Sequence, residues 1–151
     1  MTEFVARPAG QRGQRLTYLV KRLEMAERAR MEEVLRPLEV TLHQYTALSL
    51  LERRDGLSSA QLARRHFVTP QAMNQLVASL ERDGLIRREP DGANRRILRA
   101  SLTDTGRATV AACHLAVDEL ERRMLAEFSP EQERDFRSAL ERSLRGLAES
   151  A

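Results

Sequence analysis

Gln71, Asn74 and Gln75 put three carboxamides within five residues, and Arg95 and Arg96 put two guanidinium groups side by side further along the chain. A carboxamide both donates and accepts, so it can pair bidentately with adenine or reach other base edges in a DNA major groove, where the donor and acceptor pattern separates all four base pairs. A guanidinium is a planar fork that matches phosphates and base edges better than an ammonium does. Taken singly, exposed glutamine and asparagine on one helix are more often a solvated face, and two arginines at a turn are often only turn. The elements that carry these residues decide which reading holds.

Residues 58–103 supply those elements. Ser58, followed three residues later by Gln61, is a capping box that starts a helix. Thr69 and Pro70 start a second one, with threonine as N-cap and proline at the first helical position, where its missing N–H costs nothing. The two starts lie eleven positions apart, which leaves two helical turns and a tight turn, the spacing of a helix-turn-helix. Leu62, Ala63, Met73, Leu76, Val77 and Leu80 fall on inner faces, while Gln71, Asn74, Gln75, Ser79 and Arg82 are left outside. Asp83-Gly84 ends the second helix. Residues 85–89 and 97–102 read as strands, with Leu98, Ala100 and Leu102 alternating against Arg99 and Ser101, and residues 90–96 form a turn-rich tip carrying Arg95 and Arg96. Helix, turn, helix and basic hairpin make a winged helix-turn-helix. Inside that frame the carboxamides read as base readers rather than as a solvated face.

The flanks are helical and carry no chemistry of their own. Leu16, Leu19, Val20, Leu23, Met31, Val34 and Leu35 recur at helical spacing with a polar break around Glu27 and Arg28, and Pro37 ends the run. Thr41 with Gln44 is a further capping box, opening a helix through Leu42, Tyr45, Leu48 and Leu51 that Asp55-Gly56 closes. Thr103-Asp104 opens a long helix with Val110, Val117, Leu120, Met124, Leu125 and Phe128 as its expected buried positions. Ser129 to Gln132 caps a last helix bearing Phe136, Leu140, Leu144 and Leu147. The expected fold class is mainly α with a small β wing, one domain over residues 1–151. Within it, residues 41–103 form the winged helix-turn-helix, residues 14–36 and 104–150 form flanking helices, and residues 1–13 are frayed. The terminal helices carry more apolar surface than a small module can cover, so a second copy is the expected partner. A two-fold pair would set two recognition helices about one DNA turn apart, on a roughly palindromic duplex.

Charge distribution agrees. The net charge of the 151 residues is +3, yet residues 53–107 hold eleven arginines against six acids, leaving the remainder of the chain net negative. Positive field concentrated on one module is the footprint of a protein that meets phosphates. Lys21 is the only lysine. No stretch is apolar for long enough to cross a bilayer, and the first fifteen residues lack the apolar centre of a secretory signal, so the expected location is the cytoplasm. The single cysteine, Cys113, cannot form an internal disulfide.

Taken together, the segments Thr41 to Leu48, Leu80 to Arg88 (LERDGLIRR), Asn94-Arg95-Arg96 and Leu102 to Gly106 (LTDTG) resemble the multiple-antibiotic-resistance regulator (MarR) family of bacterial transcription factors over nearly the full length. Their order and spacing together are specific. The resemblance implies a homodimer with intertwined terminal helices, each second helix in a major groove and each wing along a minor groove. It assigns the groove-inserted arginine to Arg96, seven residues before Thr103, with Arg95 beside it. Ser59, Arg64, Thr69 and Arg82, near helix ends or on the outer face, are the expected phosphate contacts. Many relatives carry aspartate two residues before that arginine; this chain has Asn94, which can accept a hydrogen bond but forms no ion pair. The resemblance also implies a pocket for a small anionic aromatic effector, with Tyr18, His43, Tyr45 and His114 as candidate lining.

The expected function is a sequence-specific, ligand-responsive transcription regulator that represses as a homodimer on a pseudo-palindromic operator. The alternative is a winged helix used for protein assembly, whose wing would expose an apolar patch rather than arginines. An enzyme fails on inventory: no catalytic residues are assigned, no carboxylates cluster, no Ser-His-Asp order appears and no glycine loop cradles a phosphate. No cofactor is expected. No metal is expected either, since His43, His66 and His114 lie on different elements and share no ligand spacing. Cys113 in some relatives' terms invites redox sensing, but their reactive cysteine lies near the first helix, and a mid-helix cysteine is usually a small packing residue.

Overall fold

A computed structural model describes residues 13–148. The fraying expected of residues 1–13 falls, Gly13 apart, outside the described residues. The first helix, α1 (Leu16–Leu35), passes without interruption through the polar stretch at Glu27 and Arg28. Glutamate and arginine are good helix formers, and ion pairs one turn apart, Lys21 to Glu24 at 2.9 Å and Arg28 to Glu24 at 3.3 Å, support the stretch. A 3-10 turn (Arg36–Leu38) containing Pro37 ends it. Thr41 and Gln44 then cap α2 (Leu42–Arg53) reciprocally, each side chain satisfying the other's backbone N–H at 3.1 and 2.9 Å.

The module continues with β1 (Leu57–Ser58), α3 (Ser59–His66), α4 (Pro70–Arg82), β2 (Ile86–Pro90) and β3 (Leu98–Leu102), followed by α5 (Asp104–Met124) and α6 (Pro130–Ala148). The sheet is antiparallel in the order β1-β3-β2, pairing Leu57 with Ala100 and Ile86 with Leu102. Sequence reading misses β1, because Ser58 is legible only as a cap; it is both the cap of α3 and a strand residue. Both hairpin strands start one residue later than expected. Pro90 is tolerated in β2 because that strand lies at the sheet edge, where a missing N–H faces no partner. Leu98, expected inside with Ala100 and Leu102, is exposed: it pairs with Pro90 at the open end of the ribbon.

Two apolar clusters hold the chain. In the larger, Leu48 and Leu51 of α2, Leu62 of α3, and Met73, Val77 and Leu80 of α4 meet Ile86, Ala100 and Leu102 of the sheet and Val110 of α5. Each such side chain contributes roughly 1.5 to 3 kcal/mol on full burial. The smaller cluster joins α1 to α5 through Met31, Leu35, Val40 and Cys113. Cys113 is fully buried there and burial pushes its thiol up, disfavouring the reactive thiolate.

Of the positions expected inside on α5, Val117, Leu120 and Leu125 are half-buried, but Met124 and Phe128 are exposed. Leu140, Leu144 and Leu147 of α6 and Leu16, Leu19, Val20 and Leu23 of α1 are exposed as well. Among the described residues none buries them fully; Phe128 and Phe136 meet edge to face at 5.6 Å where α6 turns back.

Gly106, in the first turn of α5, is buried against the backbone of Leu85. A β-carbon there would lie 1.9 Å from the Leu85 carbonyl oxygen, so that backbone would have to move. Gly106→Ala is expected to destabilise the fold by about 2 kcal/mol or more, read as a lower urea midpoint. An unchanged midpoint would mean that the junction yields freely.

Candidate nucleic-acid interface

Burial of Met73, Val77 and Leu80 against α3 fixes which side of α4 faces outward. Gln71, Asn74, Gln75 and Arg82 are exposed together with Ala78, at the three-and-four spacing of a single helical face. The three carboxamides are thus brought onto one surface. Sequence reading passes over Ala78 because it has no polar group, although the spacing includes it. Its methyl is the kind of group that can meet a thymine methyl in a major groove. Ser79, expected outside, is half-buried, and its hydroxyl lies 3.4 Å from both Gln44 Nε2 and Arg82 Nη2. It faces the start of α2 rather than solvent.

Thr69 uses its hydroxyl to accept from the Ala72 N–H at 3.1 Å, and with Pro70 it sets the start of α4 as the sequence predicts. The turn before it has no glycine: Phe67 closes α3 at φ 56°, a left-handed conformation that an L-residue adopts only at a cost. Ser59 is half-buried in the first turn of α3, and Arg64 is exposed in its last.

Arginines in this region fall into two groups. Arg88 donates from Nε and Nη2 to Glu81 Oε2 at 3.0 and 2.5 Å, tying β2 to the end of α4, and these bonds hold the Glu81 carboxyl below its usual range. Arg87 lies 3.4 Å from Glu89, and Arg82 3.7 Å from Asp83. Arg64, Arg95 and Arg96 are exposed and, among the described residues, their side chains have no hydrogen-bond or ion-pair partner. Unpaired guanidinium groups on one module are free to engage phosphates, releasing counterions as they do so. The wing tip that carries two of them is a built turn, in which Asp91 Oδ2 accepts from Ala93 and Asn94 at 3.2 and 3.0 Å, and Asn94 Oδ1 accepts from the Arg96 N–H at 3.2 Å.

The four candidate effector residues separate into three places. Tyr45 and His114 meet across α2 and α5: the Tyr45 hydroxyl lies 3.0 Å from His114 Nδ1, and His114 Nε2 lies 2.7 Å from Glu52. With a carboxylate on Nε2, that nitrogen carries the proton and Nδ1 accepts from tyrosine. Tyr18 stands apart, exposed on α1. His43 instead meets His66, with Nδ1 and Nε2 2.8 Å apart, and opens onto a groove of about 370 Å³ that Gln75, Leu76 and Ser79 of α4 also line. His43 and His66 are 23 residues apart in sequence, so spacing could not reveal the pair. Among the described residues no group of three or more ligand-type side chains could hold a metal.

Burial, and then the neighbouring His43, lower the pKa of His66. Its folded form therefore binds fewer protons than the unfolded chain just below the ordinary value of 6.5, so stability rises with pH across that window and is lost as pH falls through it. The melting temperature is expected to drop between pH 7.5 and 5.5, and His66→Gln to flatten that drop. Parallel curves for the two proteins would remove His66 from the pH response.

The sequence profile of the MarR family matches residues 38–97, from the 3-10 turn to the wing tip. An HTH-type transcriptional repressor of Mycobacterium tuberculosis, Rv2887, is 38% identical over 127 residues, which cover 84% of this chain and 91% of that protein. The chain belongs to the MarR family. The crystal structure of Rv2887 in complex with DNA superposes with a TM-score of 0.75 at 36% identity, covering 86% of this chain and 98% of that one. Rv2887 with salicylic acid gives 0.71 at 37% identity, covering 86% and 96%. Escherichia coli MarR without ligand gives 0.78 at 20% identity over 88% and 99%, a likeness of fold. The MarR fold thus accounts for the winged module and for the helices on either side of it. No helix among the described residues is long and apolar enough to cross a membrane.

Proposed function

We propose that this MarR-family chain is a sequence-specific regulator of transcription that binds duplex DNA as a homodimer and acts as a ligand-responsive repressor. The observation that carries this reading is the common exposure of Gln71, Asn74 and Gln75 on one face of α4 beside the unpaired Arg95 and Arg96 of the wing. In this arrangement the carboxamides read base edges in the major groove and Arg96, with Arg95 beside it, enters the minor groove. Ser59, Arg64, Thr69 and Arg82 hold phosphates and set register without reading sequence. The related repressor Rv2887 has been crystallised with DNA, which supports the reading. Assembly on a protein partner is the weaker alternative: Ile97 and Leu98 are exposed on the wing, but they sit beside two free guanidinium groups and form no extended apolar patch.

Pairing of two copies follows from the uncovered leucines of α1 and α6, which lie on the flanking helices rather than on the reading face. A two-fold dimer buries them and spaces two α4 helices for a pseudo-palindromic operator. The protein is expected to sediment as a dimer at micromolar concentration and Leu144→Glu to shift it toward monomer; a monomeric wild type would overturn the two-fold arrangement.

Rv2887 is also known in complex with salicylic acid and with p-aminosalicylic acid. An anionic aromatic effector fits the tyrosines and imidazoles available here: Tyr45 and His114 form one candidate site, His43 a second beside Gln75, with Tyr18 contributing from α1 of the dimer face. Such a ligand releases DNA only if it binds the DNA-incompetent arrangement more tightly.

Footprinting of the promoter region flanking its own gene tests the central reading, since it reports operator, half-site spacing and autoregulation together. Arg96→Ala is expected to weaken binding to the protected duplex by about 1 to 3 kcal/mol and to flatten its salt dependence. Absence of any protected site, or unchanged affinity in Arg96→Ala, counts against it.

A further inference from the structure

The wing tip is tied to the loop between α2 and β1 through Asp91 and Arg99. Asp91 uses Oδ2 to order the tip turn, and its other oxygen, Oδ1, accepts from Arg99 Nε. Arg99 in turn donates from Nη1 to the Gly56 carbonyl at 3.0 Å, in the loop between α2 and β1, and the Gly56 N–H returns to the Ala100 carbonyl at 3.1 Å. Asp91 is mostly covered, its side chain 17% exposed, and the Arg99 bond lowers the pKa of its carboxyl. The chain of bonds therefore runs from the tip that presents Arg95 and Arg96 to the loop at the foot of α3.

We propose that Asp91 and Arg99 are positioning residues that fix the pose of Arg95 and Arg96 relative to α4 before DNA is met, an inference that rests on the DNA-binding function proposed above. Three features support it. Arg99 lies in the same basic hairpin as Arg95 and Arg96, yet its guanidinium is occupied by Asp91 and a backbone carbonyl, which removes it from the pool of phosphate contacts. Asn94 touches Arg96 only through its backbone N–H, so the side-chain amide does not hold the guanidinium. And a carboxylate beside two arginines opposes the phosphate field, so its presence is unfavourable for binding unless it serves to order the wing. A loop that is already ordered loses less conformational freedom on binding.

That opposition gives the proposal a sign that can be measured. Asp91→Asn keeps an acceptor for the Ala93 and Asn94 N–H groups but removes the anion that holds Arg99. Arg99→Lys keeps the charge but loses the fork that spans Asp91 and Gly56. By charge alone, Asp91→Asn would tighten binding to every duplex and Arg99→Lys would change nothing. As positioning residues, both are expected to weaken binding to the footprinted operator by about tenfold, while Asp91→Asn binds a scrambled duplex of equal length as well as or better than the wild type. In an Arg96→Ala background either change is expected to add less than about twofold, because its effect passes through that arginine. Hydrogen exchange of the free full-length variants is expected to quicken over residues 91–97 and to stay unchanged in α2 and α4, which separates loss of wing order from loss of fold. Tighter or unchanged operator binding by Asp91→Asn, full additivity with Arg96→Ala, or unaltered exchange in the wing would each overturn the proposal. A wild type that cannot tell operator from scrambled duplex overturns the function itself, a result distinct from discrimination that survives both substitutions.

Discussion

The carbonyl of Leu85 occupies the space where any residue but glycine at 106 would place its β-carbon, and the geometry of the whole chain passes through that contact. Thr103 completes the junction, its N–H donating to Leu85 O at 3.1 Å and its hydroxyl to Gly84 O at 2.6 Å while also receiving the Gly106 N–H at 3.0 Å. Here the end of α4, the start of β2, the end of β3 and the first turn of α5 meet within a few residues. The outward face of α4 and the direction of α5 are therefore set together. In a dimer built on the terminal helices, the spacing between the two α4 faces depends on this joint more than on any flexible linker.

Outside the junction, the same residue type does two kinds of work. Arg88 and Arg99 brace the wing against α4 and against the α2 to β1 loop, and each has a carboxylate partner. Arg64, Arg95 and Arg96 have none among the described residues and point their charge at solvent. Exposed ion pairs contribute little to stability one by one, so the value of the braced arginines lies in orientation. The net positive field of residues 53–107 is thus the sum of a scaffold and a smaller working set.

Much of this was legible in the chain because it is local. The capping boxes at Thr41, Ser58 and Ser129 and the Thr69-Pro70 start involve atoms three residues apart, and all four form as their sequences require. The face carrying Gln71, Asn74 and Gln75 followed from helical periodicity alone. The meeting of His43 with His66, the strand at Leu57, the inward turn of Ser79 and the grip of Arg99 on Gly56 were not legible, because each joins residues from 23 to 43 positions apart. Leu98, Met124 and Phe128 misled for the opposite reason: hydrophobic pattern says that a residue seeks cover but not whether its own chain provides it.

The amino-acid sequence by itself determined the elements, their order and which residue types stand on the outward face of α4, since caps, turns and periodicity act over one or two turns of chain. Only the tertiary structure decided which arginines are free and which are spent as braces, where the candidate effector residues stand relative to one another, and how much apolar helix is left for a second copy. Those outcomes depend on which distant segments share space, and short-range propensity carries no information about that.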